Sequence, residues 1–235
     1  MNQPAAHQSS TEGRPDGSVW ITLDRGDRNM LDADLTTWLL DQLRRADADA
    51  PPAIVLTGAG TTFCGGADGP YLRESKTAAV FAEAAVQLFE LLHTMGTPLV
   101  AALNGDALAG GFGLVCLADI VVAVDGAKLG TIEASLGSWP MIAQTPVLTR
   151  VPPKAAIANL LTGIPFDSRR GRELGVVDQV VAPDQLEPAV AQVVGQLTPG
   201  AKAARLGRPM ARRQLAPHFS ADLRHGAAAF VEMFG

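Results

Sequence analysis

Two glycine-rich turns hold the residue types best suited to chemistry. The first is Gly60-Thr61-Thr62-Phe63-Cys64-Gly65-Gly66-Ala67-Asp68-Gly69-Pro70, and the second is Asn104-Gly105-Asp106-Ala107-Leu108-Ala109-Gly110-Gly111-Phe112-Gly113. Each follows an apolar run that reads as a buried strand, Ala53–Thr57 before the first and Pro98–Leu103 before the second. Glycine has no Cβ, so a ligand can approach its backbone N–H closely. A helix starting at Gly110-Gly111 leaves its first amides unpaired and adds a positive dipole end. Such a place binds a negative oxygen, resting or forming in a transition state. A lone Gly-Gly is better read as a tight strand-to-helix turn; a pair of such turns is not. If the two strands are neighbours in a parallel sheet, both turns emerge side by side at its C-terminal edge, where open α/β sheets bind ligands. One amide from each turn then converges on a single oxygen. Removing one such donor typically costs roughly 3–4 kcal/mol of transition-state stabilisation.

The elements that must position these turns alternate along the chain. Residues 1–17 are rich in Gln, Ser, Gly and Pro and are expected to be a disordered arm. Val19–Leu23 reads as a strand. Asp32 or Asp34 caps a helix carrying Leu35, Trp38, Leu39, Leu40 and Leu43 at helical spacing. Thr77–Met95 reads as a long amphipathic helix with Val80, Phe81, Ala84, Leu88, Leu91 and Leu92 inward. Gly111–Ala118 is a short helix and Asp119–Val124 a buried strand. Leu129–Pro140 is a loop. Lys154–Thr162, Ser168–Gly175 and Gln185–Gln196 are helical, and Val176–Val181 is a short strand. In the region after Thr198, Arg205, Arg208, Arg212 and Arg213 are expected on a solvated face, with a last helix over Ala221–Gly235. The fold class is α/β, with crossovers and a parallel core sheet. The expected organisation is a main domain over residues 18–195 and a helical appendage over 196–235.

Composition narrows the function. The chain has 235 residues, 47% of them hydrophobic, enough for a substantial core. Aromatics are few and the net charge is −5, with no basic patch, so a nucleic-acid partner is disfavoured. Cys64 and Cys116 have neither metal-site spacing nor the look of a disulfide framework; they read as small buried side chains in a reducing compartment. Residues 1–17 lack the apolar core of a signal peptide, and no apolar run is long enough to span a bilayer. A cytoplasmic protein without a membrane partner is expected. P-loop, Gly-x-Gly-x-x-Gly, Gly-x-Ser-x-Gly and His-Glu-x-x-His patterns are absent, and His7, His93, His218 and His225 are scattered.

The ordered set Arg28-Asn29-Met30-Leu31, Phe63-Cys64-Gly65-Gly66-Ala67-Asp68, Asn104-Gly105 to Gly110-Gly111, Ala118-Asp119-Ile120, Gly130 to Glu133 and Leu136-Gly137 resembles the crotonase family, the enoyl-CoA hydratase/isomerase superfamily. Leu161-Thr162-Gly163, Gly175-Val176-Val177-Asp178 and Val180-Val181 extend the likeness. The resemblance implies a repeated ββα core, homotrimers or dimers of trimers, and acyl-CoA thioester substrates, with coenzyme A part of the substrate and no separate cofactor or metal. It implies an oxyanion hole from the amides of Ala67 and Gly110. It places substrate and CoA contacts at Arg28, Met30 and Leu31, at Gly66, Ala67, Asp68 and Gly69, and at Leu108, Gly110 and Gly111. Trp139 lines the acyl pocket, or is a core tryptophan.

Hydratases of the family usually carry two glutamates. One position falls on Gly113, where the carboxylate is absent; the other falls on Glu133. Hydration is helped by two groups, whereas moving a double bond needs one base that takes a proton from one carbon and returns it to another. The resemblance therefore implies Glu133 as the acid/base and favours isomerisation, without excluding hydration. Alternatives are a thioester decarboxylase or hydrolase of the same family, and a non-catalytic acyl-CoA-binding paralogue. Phe219–Gly235 resembles a penultimate helix, so the usual last helix is expected to be missing and the pocket to be more open or closed by a partner subunit.

Overall fold

The computed structural model describes residues 6–73 and 77–234. In chain order the described elements are β1 (Ser10–Gly13), β2 (Val19–Leu23), α1 (Ala33–Asp49), β3 (Ile54–Gly58), β4 (Thr62–Cys64), α2 (Gly69–Leu72), α3 (Thr77–Thr94), β5 (Leu99–Leu103), β6 (Asp106–Leu108) and α4 (Gly110–Leu117). They continue with β7 (Ile120–Val124), β8 (Lys128–Gly130), a 3₁₀ turn at Glu133–Leu136, α5 (Gln144–Arg150), α6 (Pro153–Thr162), β9 (Phe166–Asp167), α7 (Ser168–Glu173), β10 (Gln179–Val181), α8 (Leu186–Leu197), α9 (Ala201–Leu215) and α10 (Phe219–Phe234).

The main sheet has the order β1-β2-β3-β5-β7-β10 and is parallel except for β1. Both of its faces are covered, so β5 and β7 are apolar at every position, and β3 departs from this at Thr57, whose hydroxyl donates to the Ala102 carbonyl at 2.8 Å. Ile54 and Leu56 of β3 join the core under α1 and α3, while Val55 and Val100 turn to the other face and pack with Val190 and Val194 of α8. Asp32 caps α1, its carboxylate accepting the Leu35 N–H at 2.8 Å.

The glycine turns do not leave this sheet directly, as the sequence suggested. A second, small sheet of order β4-β6-β8-β9 intervenes. The pairing of β3 with β5 continues one step on, where β4 runs parallel to β6 with Thr62 opposite Asp106 and Cys64 opposite Ala107. These strands are three residues long, too short for a periodic signal.

Three further expectations are corrected. The arm over residues 1–17 is not disordered throughout: β1 pairs antiparallel with β2, Ser10 opposite Thr22 to Gly13 opposite Val19. Edge pairing needs only backbone donors and acceptors, so a polar composition does not forbid it. Residues 1–5 of that arm lie outside the described residues. Val80, expected inward, is 59% exposed on α3.

The arginines of α9 are the third correction. Arg208 is buried, and its Nε donates to Asp119 Oδ2 at 2.6 Å. Arg212 Nη2 donates to Asp119 Oδ1 at 2.6 Å, and Arg205 Nη1 to Thr97 Oγ1 at 2.8 Å. Arg208 and Arg212 also take up the Leu92 and Leu117 carbonyls, which the C-terminal ends of α3 and α4 leave without helical partners. Burial works against the Asp119 charge, yet Arg208, Arg212 and the Leu99 N–H hold its carboxyl below the usual carboxylate range. Only Arg213 of the four is on the solvated face.

Candidate active site

The parallel pair β4–β6 sets two turns side by side. The chain leaves β4 through Gly65-Gly66, with Gly66 at φ 91°, and leaves β6 through Ala109, at φ 53° and ψ −124°. A non-glycine residue in that region costs of order 1–3 kcal/mol, which the surroundings must enforce. The turns touch: a Cβ on Gly66 would lie 2.4 Å from Ala109 Cβ and 3.0 Å from the Gly110 nitrogen. A Cβ on Gly111 would lie 2.3 Å from the Cys64 carbonyl oxygen. Bare backbone is required at both places. The position a Cβ would take on Gly110 is 3.8 Å from the Ala67 nitrogen.

Neighbouring amides in the two turns are committed. Gly65 N–H donates to Arg28 O at 2.8 Å, Asp68 N–H to Leu31 O at 2.8 Å and Ala109 N–H to Gly130 O at 2.9 Å. Gly66 N–H points at Cys64 Sγ, 3.5 Å away. Burial pushes the Cys64 thiol up to about 12, against the Gly66 N–H and Arg28, so it is an inert neutral acceptor. The Ala67 and Gly110 N–H groups have no acceptor among the described residues.

The loop of residues 24–31 clamps the first turn from outside. Leu31 forms a parallel bridge with Ala67. Arg25, 8% exposed, holds Asp32 and Asp68 at 2.9 Å each and donates to the Met30 carbonyl at 2.8 Å. Asn29, fully buried at φ 48°, donates through Nδ2 to Thr62 O at 2.7 Å and Ala59 O at 3.1 Å and accepts the Arg25 N–H at 3.0 Å. Sequence reading passed over Arg25. Its signal was weak: one cation within reach of two carboxylates far apart in the chain.

The turns open on a cavity of about 650 Å³. Of the expected site residues, Arg28, Met30, Leu31, Ala67, Gly69, Gly110, Glu133 and Trp139 line it. Gly66, Asp68, Leu108 and Gly111 do not. Gly66 and Gly111 are consumed in turn packing, and Leu108 pairs with Gly130 in the small sheet. Asp68 is spent on Arg25 and on the Tyr71 N–H at the start of α2. Lining residues missed by the sequence reading include Phe89 of α3 and Phe230, Met233 and Phe234 of α10.

Glu133 is half-buried at the cavity wall, at the start of the 3₁₀ turn. Burial raises its carboxyl above the usual carboxylate range, opposed by its own N–H and by that of Ile132, which donates to Oε2 at 2.8 Å. A carboxyl so raised holds its proton to higher pH than an exposed one, which is a property that proton-transfer groups share. Trp139 is fixed by its Nε1–H to Gln144 Oε1 at 2.8 Å. Gly113 does not line the cavity, because the Phe89 ring stands in front of it: a Cβ there would lie 2.9 Å from Phe89 Cζ and 3.1 Å from Cε2. The Phe89 ring fills the room a second carboxylate would need. Arg28 and Arg73 are exposed against the β4–α2 loop, neither holding an ion pair among the described residues. No group of three or more His, Cys, Asp or Glu among the described residues could hold a metal ion, and no described helix is long and apolar enough to cross a membrane.

A parallel core sheet, a small second sheet presenting paired turns, and a helical C-terminal portion define a crotonase-type fold. A family model described as enoyl-CoA hydratase/isomerase matches residues 14–234, and the chain belongs to that family of enzymes acting on acyl-CoA thioesters. A putative enoyl-CoA hydratase of Thermus thermophilus is 35% identical over 173 residues, 70% of this chain and 68% of the relative. A crotonyl-CoA hydratase of Syntrophomonas wolfei is 30% identical over 208 residues, 86% of this chain and 80% of the relative. The crystal structure of a probable enoyl-CoA hydratase from Mycobacterium tuberculosis shares the fold, with TM-score 0.86 and 22% identity over 97% of this chain and 96% of that one.

Proposed function

We propose that the enzyme forms the enolate of an enoyl-CoA thioester and shifts its double bond. The thioester oxygen sits between the Ala67 and Gly110 amides. Glu133 takes a proton from one carbon and returns it to another, so the acyl group keeps its formula. The observation that carries this reading is the pair of uncommitted amides opening on the same cavity as Glu133. Preplaced donors aimed at a forming oxyanion supply the stabilisation that a weakly acidic α-proton needs. The packing of Gly113 against Phe89 favours one-carboxylate chemistry. Hydration is the second reading, favoured by the names of the Thermus and Syntrophomonas relatives. We propose a homotrimer or a dimer of trimers; Leu206, Met210 and Leu215, exposed on α9, are apolar surface an assembly would cover.

The test is a panel of 2-enoyl-, 3-enoyl- and malonyl-type CoA esters in D₂O, for wild type and Glu133→Gln, read by liquid chromatography with mass spectrometry. Isomerisation changes retention and incorporates deuterium; hydration adds the elements of heavy water; decarboxylation loses the mass of carbon dioxide. The proposal expects enoyl turnover that falls about 10²–10⁴-fold in the variant while CoA binding survives. Activity that persists in Glu133→Gln points to a decarboxylase or hydrolase. Binding without turnover points to a non-catalytic paralogue.

A further inference from the structure

We infer that the acyl group this site takes is uncharged and apolar, and that Met233 and Phe230 of α10 set how much of its tail is held. The inference rests on the reading of the cavity as an acyl-CoA site. Around it, charge is segregated. The cationic lining side chains among the described residues, Arg28 and Arg73, lie against the β4–α2 loop: Arg28 Nε is 3.3 Å from where a Cβ would sit on Gly65, and Arg73 Nη2 3.8 Å from the same point on Gly69. The opposing wall, from α3 and α10, presents no charge to the cavity. There Phe81 stacks obliquely on Phe230 at 5.9 Å, and Phe230 on Phe234 at 4.7 Å. Phe81, Leu88, Phe89 and Phe230 are at most 8% exposed.

Met233 brings this wall to the reacting end. Its sulfur accepts from Ser138 Oγ at 3.4 Å, and the Ser138 N–H donates to the Glu133 carbonyl at 2.9 Å. A chain leaving the carbon atoms beside Glu133 therefore runs onto α10, where it meets methyl, thioether and ring atoms. A methylene buried there gains about fourfold in affinity, whereas a carboxylate finds no cation to pair with among the described residues of that wall. Met233 is itself 38% exposed, so the wall yields toward solvent at that point and a tail of several carbons is accommodated.

The experiment is calorimetric titration of CoA, butanoyl-CoA, octanoyl-CoA and the carboxylate-ended adipyl-CoA into the wild-type enzyme, Met233→Ala and Phe230→Ala, each first checked by thermal melt. Octanoyl-CoA should bind the wild type roughly tenfold to 200-fold more tightly than butanoyl-CoA, the upper figure being four methylenes fully buried. Adipyl-CoA should bind no better than butanoyl-CoA. Met233→Ala, at a half-exposed site, should keep its melt and lose about five- to tenfold of the preference for octanoyl-CoA over butanoyl-CoA. A flat chain-length series, adipyl-CoA binding as tightly as octanoyl-CoA, or an unchanged octanoyl preference in Met233→Ala with Phe230→Ala folded and unchanged too, overturns the inference while leaving the acyl-CoA reading intact. If neither CoA nor any ester binds, that reading fails and the inference falls with it.

Discussion

Gly113 and Phe89 decide whether this site can hold a second carboxylate, and the geometry allows the cost to be worked out. The first atom of a side chain at 113 would lie 2.9 Å from Phe89 Cζ, 3.1 Å from Cε2 and 3.4 Å from Pro146 Cγ. Phe89 is 3% exposed on α3 and lines the cavity, so its ring can yield only by leaving its packed position for the room the acyl group would take. Overpacking of this kind costs about 1–3 kcal/mol. At 2–4 °C per kcal/mol for a chain of this size, Gly113→Glu should lower Tm by roughly 2–12 °C. Phe89→Leu removes the offending ring atoms at a cost of its own of about 1–2 kcal/mol. The two changes should therefore couple: the double variant should be more stable than the sum predicts by about 1–3 kcal/mol. Four urea titrations close the cycle, and water addition to crotonyl-CoA, followed by mass, reads the chemistry. The double variant should hydrate faster than either single one. Additivity within about 0.5 kcal/mol, or a Gly113→Glu variant that keeps its Tm and gains hydration unaided, would refute the reasoning.

Glu133 carries a pH signature. Its carboxyl is raised above 4.5 by burial, so the native state keeps that proton to higher pH than the unfolded chain does. Its contribution to stability therefore declines as pH rises through the window between 4.5 and the raised value, and the penalty is complete above it. Glu133→Gln should melt higher than wild type near neutrality and no higher below pH 4.5, and the acid limb of kcat/KM should vanish with the carboxylate. Arg208→Met should destabilise by about 3 kcal/mol, the low end for breaking a buried ion pair, because Arg212 still holds Asp119. Arg213→Ala, on the exposed face, should stay within about 0.5 kcal/mol by the same denaturation assay.

What the sequence revealed follows from how its signals arise. β2, β3, β5 and β7 are covered on both faces or nearly so, and their largely apolar runs, interrupted only by Thr22 and Thr57, stand out without an alignment. The α1 cap was legible as one of two candidates, Asp32 or Asp34, because a capping carboxylate lies only three residues from the amide it serves; the structure uses Asp32. β4, β6 and β8 carry three residues each, the first two read as glycine turn and the third as the start of the Leu129–Pro140 loop; the pairing of β4 with β6 is enforced from outside, by the register that β3 and β5 impose. α5 went unread because Pro146 sits in its first turn, where a proline is tolerated but looks like a breaker. The α9 arginines failed differently. Residues 205, 208 and 212 share one helical face, yet charge was taken as a sign of solvent, and their carbonyl acceptors lie about a hundred positions away. The walls of the cavity share that difficulty: periodicity says that Phe81 and Phe230 face inward, not that they face each other.

The two amides at the centre of the site remain uncommitted because everything around them is committed. Had Ala109 relaxed to an ordinary backbone conformation, Gly110 N–H would swing away from Ala67. Three restraints prevent it: the Ala109 N–H is held by Gly130 O, its carbonyl receives the Gly113 N–H at 3.2 Å, and its methyl is seated on Gly66. On the other turn, Ala67 is flanked by amides bound to the Arg28–Leu31 loop, and that loop is tied down by Asn29 and by the buried guanidinium of Arg25. Arg25 Nε is buried with no partner among the described residues, so this clamp is not the arrangement of lowest electrostatic cost. Its benefit lies elsewhere. On the proposed function, donors fixed before an oxyanion forms need no reorganisation when it does, and the strained alanine and the guanidinium N–H left unpaired among the described residues are what that fixity costs.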